Sequence, residues 1–314
     1  MQPIILDVDM GVDDALGIIL ALQSPEVELL GISTVFGNVP LDKATRNALQ
    51  ILELMDRCEI PVYVGADEPM VRKPVHAEAV HGEDGMGDAV LPDPAMSPAG
   101  TALDFLIEGI EARPGEVIVI ATGPLTNLAL VEEKQPGILD QARHIVVMGG
   151  TLSEVGNVTP VSEFNSFADP HAFHQLIKSG INMTLVPLDV THQLGMTAAG
   201  IEARLAERDD AVARFIREST RTVIAFEREH YDYAGIHLHD PTAVAVAIDS
   251  SLCEIECLSL DVETTGELTT GQLVVDRRPF SDEEKRQGYP VDCAMTVDVE
   301  RVMSIFEDRL MGGK

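Results

Sequence analysis

The sequence predicts an α/β fold: a single large open sheet, mostly parallel and Rossmann-like, flanked by helices and extended by antiparallel strands in its C-terminal third. Two observations carry this. Short runs rich in Val and Ile, bounded by Gly, Pro or Asn, alternate with longer segments of helical period, the pattern of right-handed crossovers in a parallel sheet. Beyond about residue 200 the alternation stops, and strand-like runs follow one another with no helix between them.

The elements follow in order. Ile4-Ile5-Leu6 opens a strand at 4–9, and Ala15, Leu16, Ile18, Ile19 and Leu22 give a helix at 13–23. A strand at 28–35 ends at Gly37-Asn38, Pro40 precedes a helix at 41–55, and Pro61 precedes a strand at 62–64. A helix at 100–112, a strand at 117–121, a helix at 125–133 and a strand at 145–148 follow, the last closed by Gly149-Gly150. Pro170 starts and Gly180 stops a helix at 170–179, before a strand at 183–187. The last third carries a charged helical stretch at 200–229, a short helix after Pro241, strands at 255–262, 272–275 and 291–297 expected to pair antiparallel at one edge, and a helix to 310. With no internal repeat or linker, residues 1–314 read as one domain.

Composition narrows the function. There are 52 acids against 22 bases, a formal net charge of −30, and only six lysines. Such a surface repels phosphate backbones and anionic lipid, which argues against nucleic acid and membrane as partners. Neutral substrates and cations remain, and an acidic excess with scarce lysine also suits solubility at high salt. No apolar run reaches membrane-spanning length and Met-Gln-Pro-Ile leads straight into a strand, so a soluble cytoplasmic protein is expected. Cys58, Cys253, Cys257 and Cys293 lack zinc-site spacing and read as buried, reduced thiols.

Four carboxylates in Asp7-Val-Asp9-Met-Gly-Val-Asp13-Asp14 stand between the first strand and the first helix. Open α/β folds bind ligands at the carboxyl ends of their strands. The first basic residue is Lys43, so no sequence-local base offsets the repulsion and a divalent cation is the economical counter-charge. Gly37-Asn38, Thr122-Gly123, Met148-Gly149-Gly150 and Asp189 end other strands and are expected beside these acids. Asp240, before Pro241, reads either as a helix N-cap or as a further metal ligand. Two long aperiodic segments, 65–98 and 149–169, are expected to shape the site. They carry His81, and Asn157, Glu163, Phe164, Asn165 and Phe167, a set suited to a polyhydroxylated ligand with a flat group stacked alongside.

Taken in order, the series Asp7-Val-Asp9-Met-Gly-Val-Asp13-Asp14, Phe36-Gly37-Asn38, His81-Gly82-Glu83, Thr122-Gly-Pro-Leu-Thr-Asn127, Met148-Gly-Gly, Gly156-Asn157, Glu163-Phe-Asn165, Asp189-Val-Thr-His192 and His239-Asp240-Pro241 resembles the calcium-dependent nucleoside hydrolases, the inosine-uridine-preferring nucleoside N-ribohydrolases. The resemblance spans nearly the whole chain and implies their sheet architecture, a homodimer or homotetramer, and hydrolysis of a ribonucleoside to ribose and free base. It implies Ca²⁺ held by Asp9, Asp14, Asp240 and the carbonyl of Thr122. Asp9, His239 and Asn165 would be catalytic, Asp9 as general base to a metal-activated water and His239 as acid to the leaving base, through an oxocarbenium-like transition state. Asp13, Asn38, Asn157, Glu163 and Asn165 would grip ribose, with Asn157 and Glu163 at the 5′-hydroxyl, and Asp7 would support its neighbours. His81, Met148, Phe167, Tyr231 and His239 would line the substrate pocket, with Tyr233 beside Tyr231 in a mobile wall. Gly235-Ile-His237-Leu-His239 is similar to bacterial members that favour pyrimidine ribonucleosides, but His237 is unusual there, so the preferred base stays open. Met10 stands where proline is common, expected to loosen the turn, and Asp84 where serine often occurs, expected to add negative charge near the pocket.

Two rivals start from the same residues. An aspartyl-nucleophile phosphatase also begins with a strand ending in Asp-x-Asp, but would want Thr or Val at position 11, where this chain has Gly. A non-catalytic Ca²⁺-dependent nucleoside- or sugar-binding protein would use the same carboxylates without turnover.

Overall fold

In the computed structural model, which describes residues 1–279 and 285–312, β1 (Gln2–Val8) runs near the middle of a ten-stranded sheet. It pairs in parallel with β2 (Val27–Thr34) on one side and β5 (Ile118–Ala121) on the other. Beyond β2 lie β3 (Val62–Val64) and the two-residue β4 (Gly100–Thr101); beyond β5 lie β6 (His144–Met148), β7 (Met183–Val186) and β12 (Tyr289–Val297), all parallel. At the edge β10 (Cys253–Val262) pairs antiparallel with β12, and β11 (Leu273–Val275) antiparallel with β10. The expected antiparallel additions are therefore these two pairings, whereas β12 itself joins β7 in parallel. From β1 the strand order steps outward one way through β4, then from β5 the other way. That reversal opens a crevice at the carboxyl ends of β1 and β5.

Both sheet faces are covered, which is why the strands read as continuous apolar runs. Ile4, Leu6 and Val8 point into a core shared with α1 (Val12–Leu22), α2 (Leu41–Leu54), α10 (Ala211–Tyr231) and α11 (His239–Ile248). Ile5 points the other way, among Leu106 and Ile110 of α4 (Ala102–Ala112), Leu128 of α5 (Thr126–Lys134) and Phe173 of α7 (Pro170–Ser179). The two long aperiodic segments hold only the short helices α3 (Glu78–His81) and α6 (Phe164–Ala168). α8 (Leu188–Thr191) follows β7, and α12 (Val299–Arg309) ends the fold. Among the described residues no helix is long and apolar enough to cross a membrane. Of the four cysteines expected inside, only Cys293 is buried; Cys58, in the turn after α2, and Cys257, in the exposed first half of β10, face solvent.

Three elements differ from expectation. The helical stretch at 200–229 is two helices, α9 (Ala198–Leu205) and α10, because Asp210 accepts a hydrogen bond from Ala213 N at 3.0 Å and starts a new helix there. β8 (Gly195–Thr197) and β9 (Gly235–His237) form a separate antiparallel ribbon too short for any alternation to announce it. α11 begins two residues before Pro241, with Leu238 at the N-cap; Asp240 is thus in the first turn and is not a cap. Pro241 is tolerated there because its missing N–H would have had no intrahelical acceptor.

The Asp210 cap is testable. The Arg208 guanidinium, at 2.8 Å, holds its carboxyl well below the usual carboxylate range, so its contribution is present above the unfolded Asp pKa and fades as pH falls below it. Asp210→Ala should lower the unfolding free energy by about 1 kcal/mol at pH 7, and by progressively less below about pH 4, in urea titrations of the two proteins.

Candidate active site

The crevice is floored by carboxylates. Asp9 follows β1 and is fully buried; its Oδ2 accepts from Asn38 N at 2.8 Å and its Oδ1 from Asn38 Nδ2 at 3.0 Å. Asp13 and Asp14 stand in the first turn of α1, where the helix N-terminus favours negative charge. Asp14 accepts from Gly11 N at 2.7 Å and from the Thr122 hydroxyl at 2.6 Å, joining the ends of β1 and β5. Asp240 comes from the first turn of α11. Ligand oxygens of Asp13, Asp14 and Asp240 lie within 4.8 Å of one another. Asp7 lies deeper, accepting from Ser33 Oγ at 2.5 Å and Asn127 Nδ2 at 2.7 Å, consistent with a supporting place behind the floor.

These anions crowd one another in a dry setting. Burial is the first cause in every case: it pushes Asp13 and Asp14 up to about 6, and Asp9 and Asp240 well above the ordinary range. Repulsion adds to it, from Asp14 on Asp9 and from Asp13 and Asp14 on Asp240. Asp13 Oδ1 is buried without a hydrogen-bond partner, and among the described residues no Lys or Arg lines the cavity above. An oxygen-only cluster with an orphaned acceptor and no cationic side chain fits a hard divalent cation. Asp9, expected as a ligand, stands beside Asp14 with both oxygens engaged by Asn38, while Asp13 joins the tight trio.

Over this floor lies a cavity of about 690 Å³, bordered by Asp13, Asn38, Thr122, Met148, Asn165 and Asp240 at its base. Asp9 and Asp14 sit beneath that surface. Asn165 Nδ2 donates to Thr122 O at 2.7 Å and Met148 O at 3.2 Å, tying the ends of β5 and β6 together. Glu163 caps α6, accepting from Asn165 N and Ser166 N, and reaches Gly150 N at 2.7 Å. Expected at the ribose, this residue borders the cavity and is in addition a helix cap. Asn157 lies exposed at the rim, and Arg72 stacks over the Phe167 ring at 4.0 Å. Tyr231, 53% exposed, ends α10, with Tyr233 just beyond.

Two histidines face the floor. His81 Nδ1 accepts from Val12 N at 3.1 Å, which leaves the ring proton on Nε2, and burial holds its pKa down to about 4. His239 Nδ1 lies 2.7 Å from the Thr191 hydroxyl, and burial, then His192 and His237, holds it well below the ordinary value. His192 and His237 stand 5.6 and 5.8 Å from the His239 ring, and Tyr233 stacks on His237 at 4.7 Å. Sequence reasoning gave Thr191 and His192 no role, since only the fold brings the end of α8 against α11. The wall from Val223, Phe226 and Glu227 was likewise missed, because those residues read as an ordinary helix face.

Several expectations change. Met10 is buried at φ 54°, a region closed to proline, so the turn takes a different shape and is not merely looser. Asp84 does not border the cavity; its carboxylate accepts from Met86 N and Asp88 N and closes a turn. Asp189 also stays out of it, pinning the backbone of Leu152, Ser153 and Glu154.

A sheet that reverses at β1 and β5 over an acidic floor defines a hydrolase-like α/β site of the nucleoside hydrolase type. The model of the family described as inosine-uridine preferring nucleoside hydrolase matches residues 4–304, and the chain belongs to that family. Among its relatives, a pyrimidine-specific ribonucleoside hydrolase RihA of Shewanella woodyi is 40% identical, over 96% of this chain and 94% of its own. A probable uridine nucleosidase 2 of Arabidopsis thaliana is 37% identical over 99% of this chain and 98% of its own. Among solved structures, a purine-preferring ribonucleoside hydrolase from Gardnerella vaginalis superposes with a TM-score of 0.91 at 34% identity, covering 99% of this chain and 98% of that one.

The seat of Asp9 depends on Gly37, where a Cβ would fall 1.9 Å from Asp9 Oδ2. Gly37→Ala should displace that carboxylate and weaken divalent-cation binding at least about tenfold by isothermal titration calorimetry.

Proposed function

We propose that the chain hydrolyses the N-glycosidic bond of ribonucleosides, giving free base and ribose, with Ca²⁺ as its cofactor. The observation that carries this reading is the floor of clustered carboxylates, with no Lys or Arg beside it among the described residues, at the base of a cavity of about 690 Å³ in a chain of this family. Asp9, Asp14, Asp240 and the carbonyl of Thr122 would hold the ion, with Asp13 close enough to share in it. Bound there, a divalent cation acidifies a water and engages ribose hydroxyls.

The rest falls to the chain's own groups. Asp9, made more basic by burial, takes the proton of the attacking water. Asp13, Asn38, Asn157, Glu163 and Asn165 hold the sugar, and the surrounding anions favour the positive charge that develops on it. His239 serves the departing base, and His81, Met148, Phe167 and Tyr231 enclose it. The relatives named pyrimidine-specific and uridine nucleosidase favour uridine and cytidine as first substrates. Residues 1–314 are taken to act as one domain in a homodimer or homotetramer; a monomer by light scattering would remove that part.

Purified protein should release ribose from uridine, and chelation of divalent cations should abolish the release, which calcium restores. Asp9→Ala should retain less than a tenth of the wild-type rate, since general-base catalysis alone contributes roughly a hundredfold or more. Tight nucleoside binding without ribose release, or phosphate release from p-nitrophenyl phosphate, would replace this reading with one of its rivals.

A further inference from the structure

We infer that Thr191 is a positioning residue that fixes His239 as its Nε2–H tautomer, so that the ring presents a hydrogen-bond donor to the leaving base. The inference rests on the reading of His239 given above and extends it to a residue that touches neither base nor sugar.

Thr191 is fully buried at the end of α8, and among the described residues its hydroxyl has one partner, His239 Nδ1 at 2.7 Å. Thr220 and Thr242, also buried in helices, send their hydroxyl protons to the carbonyls of Ile216 and Leu238, four residues earlier. Thr191 makes no such bond. Were His239 to carry a proton on Nδ1, the Thr191 oxygen would have to accept it, and the hydroxyl proton would be left unmatched in a dry interior. With the proton donated by Thr191, both groups are satisfied. Nδ1 is then an acceptor, and the ring proton sits on Nε2; among the described residues the Thr191 hydroxyl is the one hydrogen-bond partner of this ring, which borders the cavity. His81 is set the same way by a different donor, Val12 N. Two rings therefore offer N–H groups to the same space, and the ligand edge that suits them carries acceptors.

In the reaction the C1′–N bond breaks with its electron pair passing to the base, while a water oxygen bonds to C1′ and gives its proton to Asp9. The Nε2–H of His239 stabilises the negative charge arriving on the base, which takes its proton from solvent on release. A substrate whose leaving group carries that charge unaided does not need this donor.

The test compares the calcium-loaded wild type, Thr191→Val and Thr191→Ser on uridine and on p-nitrophenyl β-D-ribofuranoside. Thr191→Val should lower kcat on uridine roughly tenfold to a hundredfold, with KM and turnover of the nitrophenyl riboside changed less than about threefold, and Thr191→Ser should restore the rate. Equal losses on both substrates mark a structural role and overturn the inference, as does an unchanged rate on uridine. Independently of activity, long-range ¹H–¹⁵N spectra of histidine-labelled wild type, with His239→Gln to assign the signal, should show His239 protonated on Nε2 alone; a proton on Nδ1 overturns it. Wild type that cleaves no ribonucleoside defeats the hydrolase reading instead, and the spectra still judge the hydrogen bond.

Discussion

Anionic crowding at the end of β1 is the constraint from which the rest of the site follows. Asp9, Asp14 and Asp240 are buried and Asp13 nearly so, and among the described residues no Lys or Arg lines the cavity beside them. Left to themselves they resist ionisation, as their raised pKa values express. Among the described residues the surrounding chain offers them neutral dipoles: the amides of Asn38, the hydroxyl of Thr122 and the N–H of Gly11 just before α1. These orient the carboxylates without neutralising them, which leaves an appetite for a cation.

Topology makes such crowding possible. Because the strand order reverses at β1 and β5, the helices that follow those strands pass to opposite faces of the sheet, and three remote segments can meet in the space between them. Asp14 comes from the turn after β1, Thr122 from the turn after β5, and Asp240 from a helix more than a hundred residues later. The backbone N–H of Thr122 bonds to the Asp7 carbonyl at 2.9 Å, so the ladder of the sheet itself registers the site.

The parallel sheet could be read from the sequence because fully buried strands such as Ile118–Ala121 are apolar throughout and their helices carry clear start and stop signals. The acidic floor showed itself as well, since four carboxylates between a strand and a helix have no bland reading that costs nothing. What escaped was whatever depends on tertiary contact. The β8–β9 ribbon is six residues in two short pieces, and Asp210 looked like one more charge on a charged helix. Asp84 and Asp189 belong to motifs at the site, yet both spend their oxygens on backbone N–H groups, and only coordinates distinguish a turn-holding carboxylate from one that faces a ligand.

The pinning of Leu152–Glu154 by Asp189 has a further consequence for how this architecture diversifies. Directly beyond the clamp, Val155–Val158 hang from a fixed anchor at the border of the cavity. Across from them stands the end of α10, equally remote from the strand ladder. Neither rim supplies the clustered oxygens, which sit in the first turns of α1 and α11. The chassis can thereby keep its grip while new tastes are acquired by altering its lips alone.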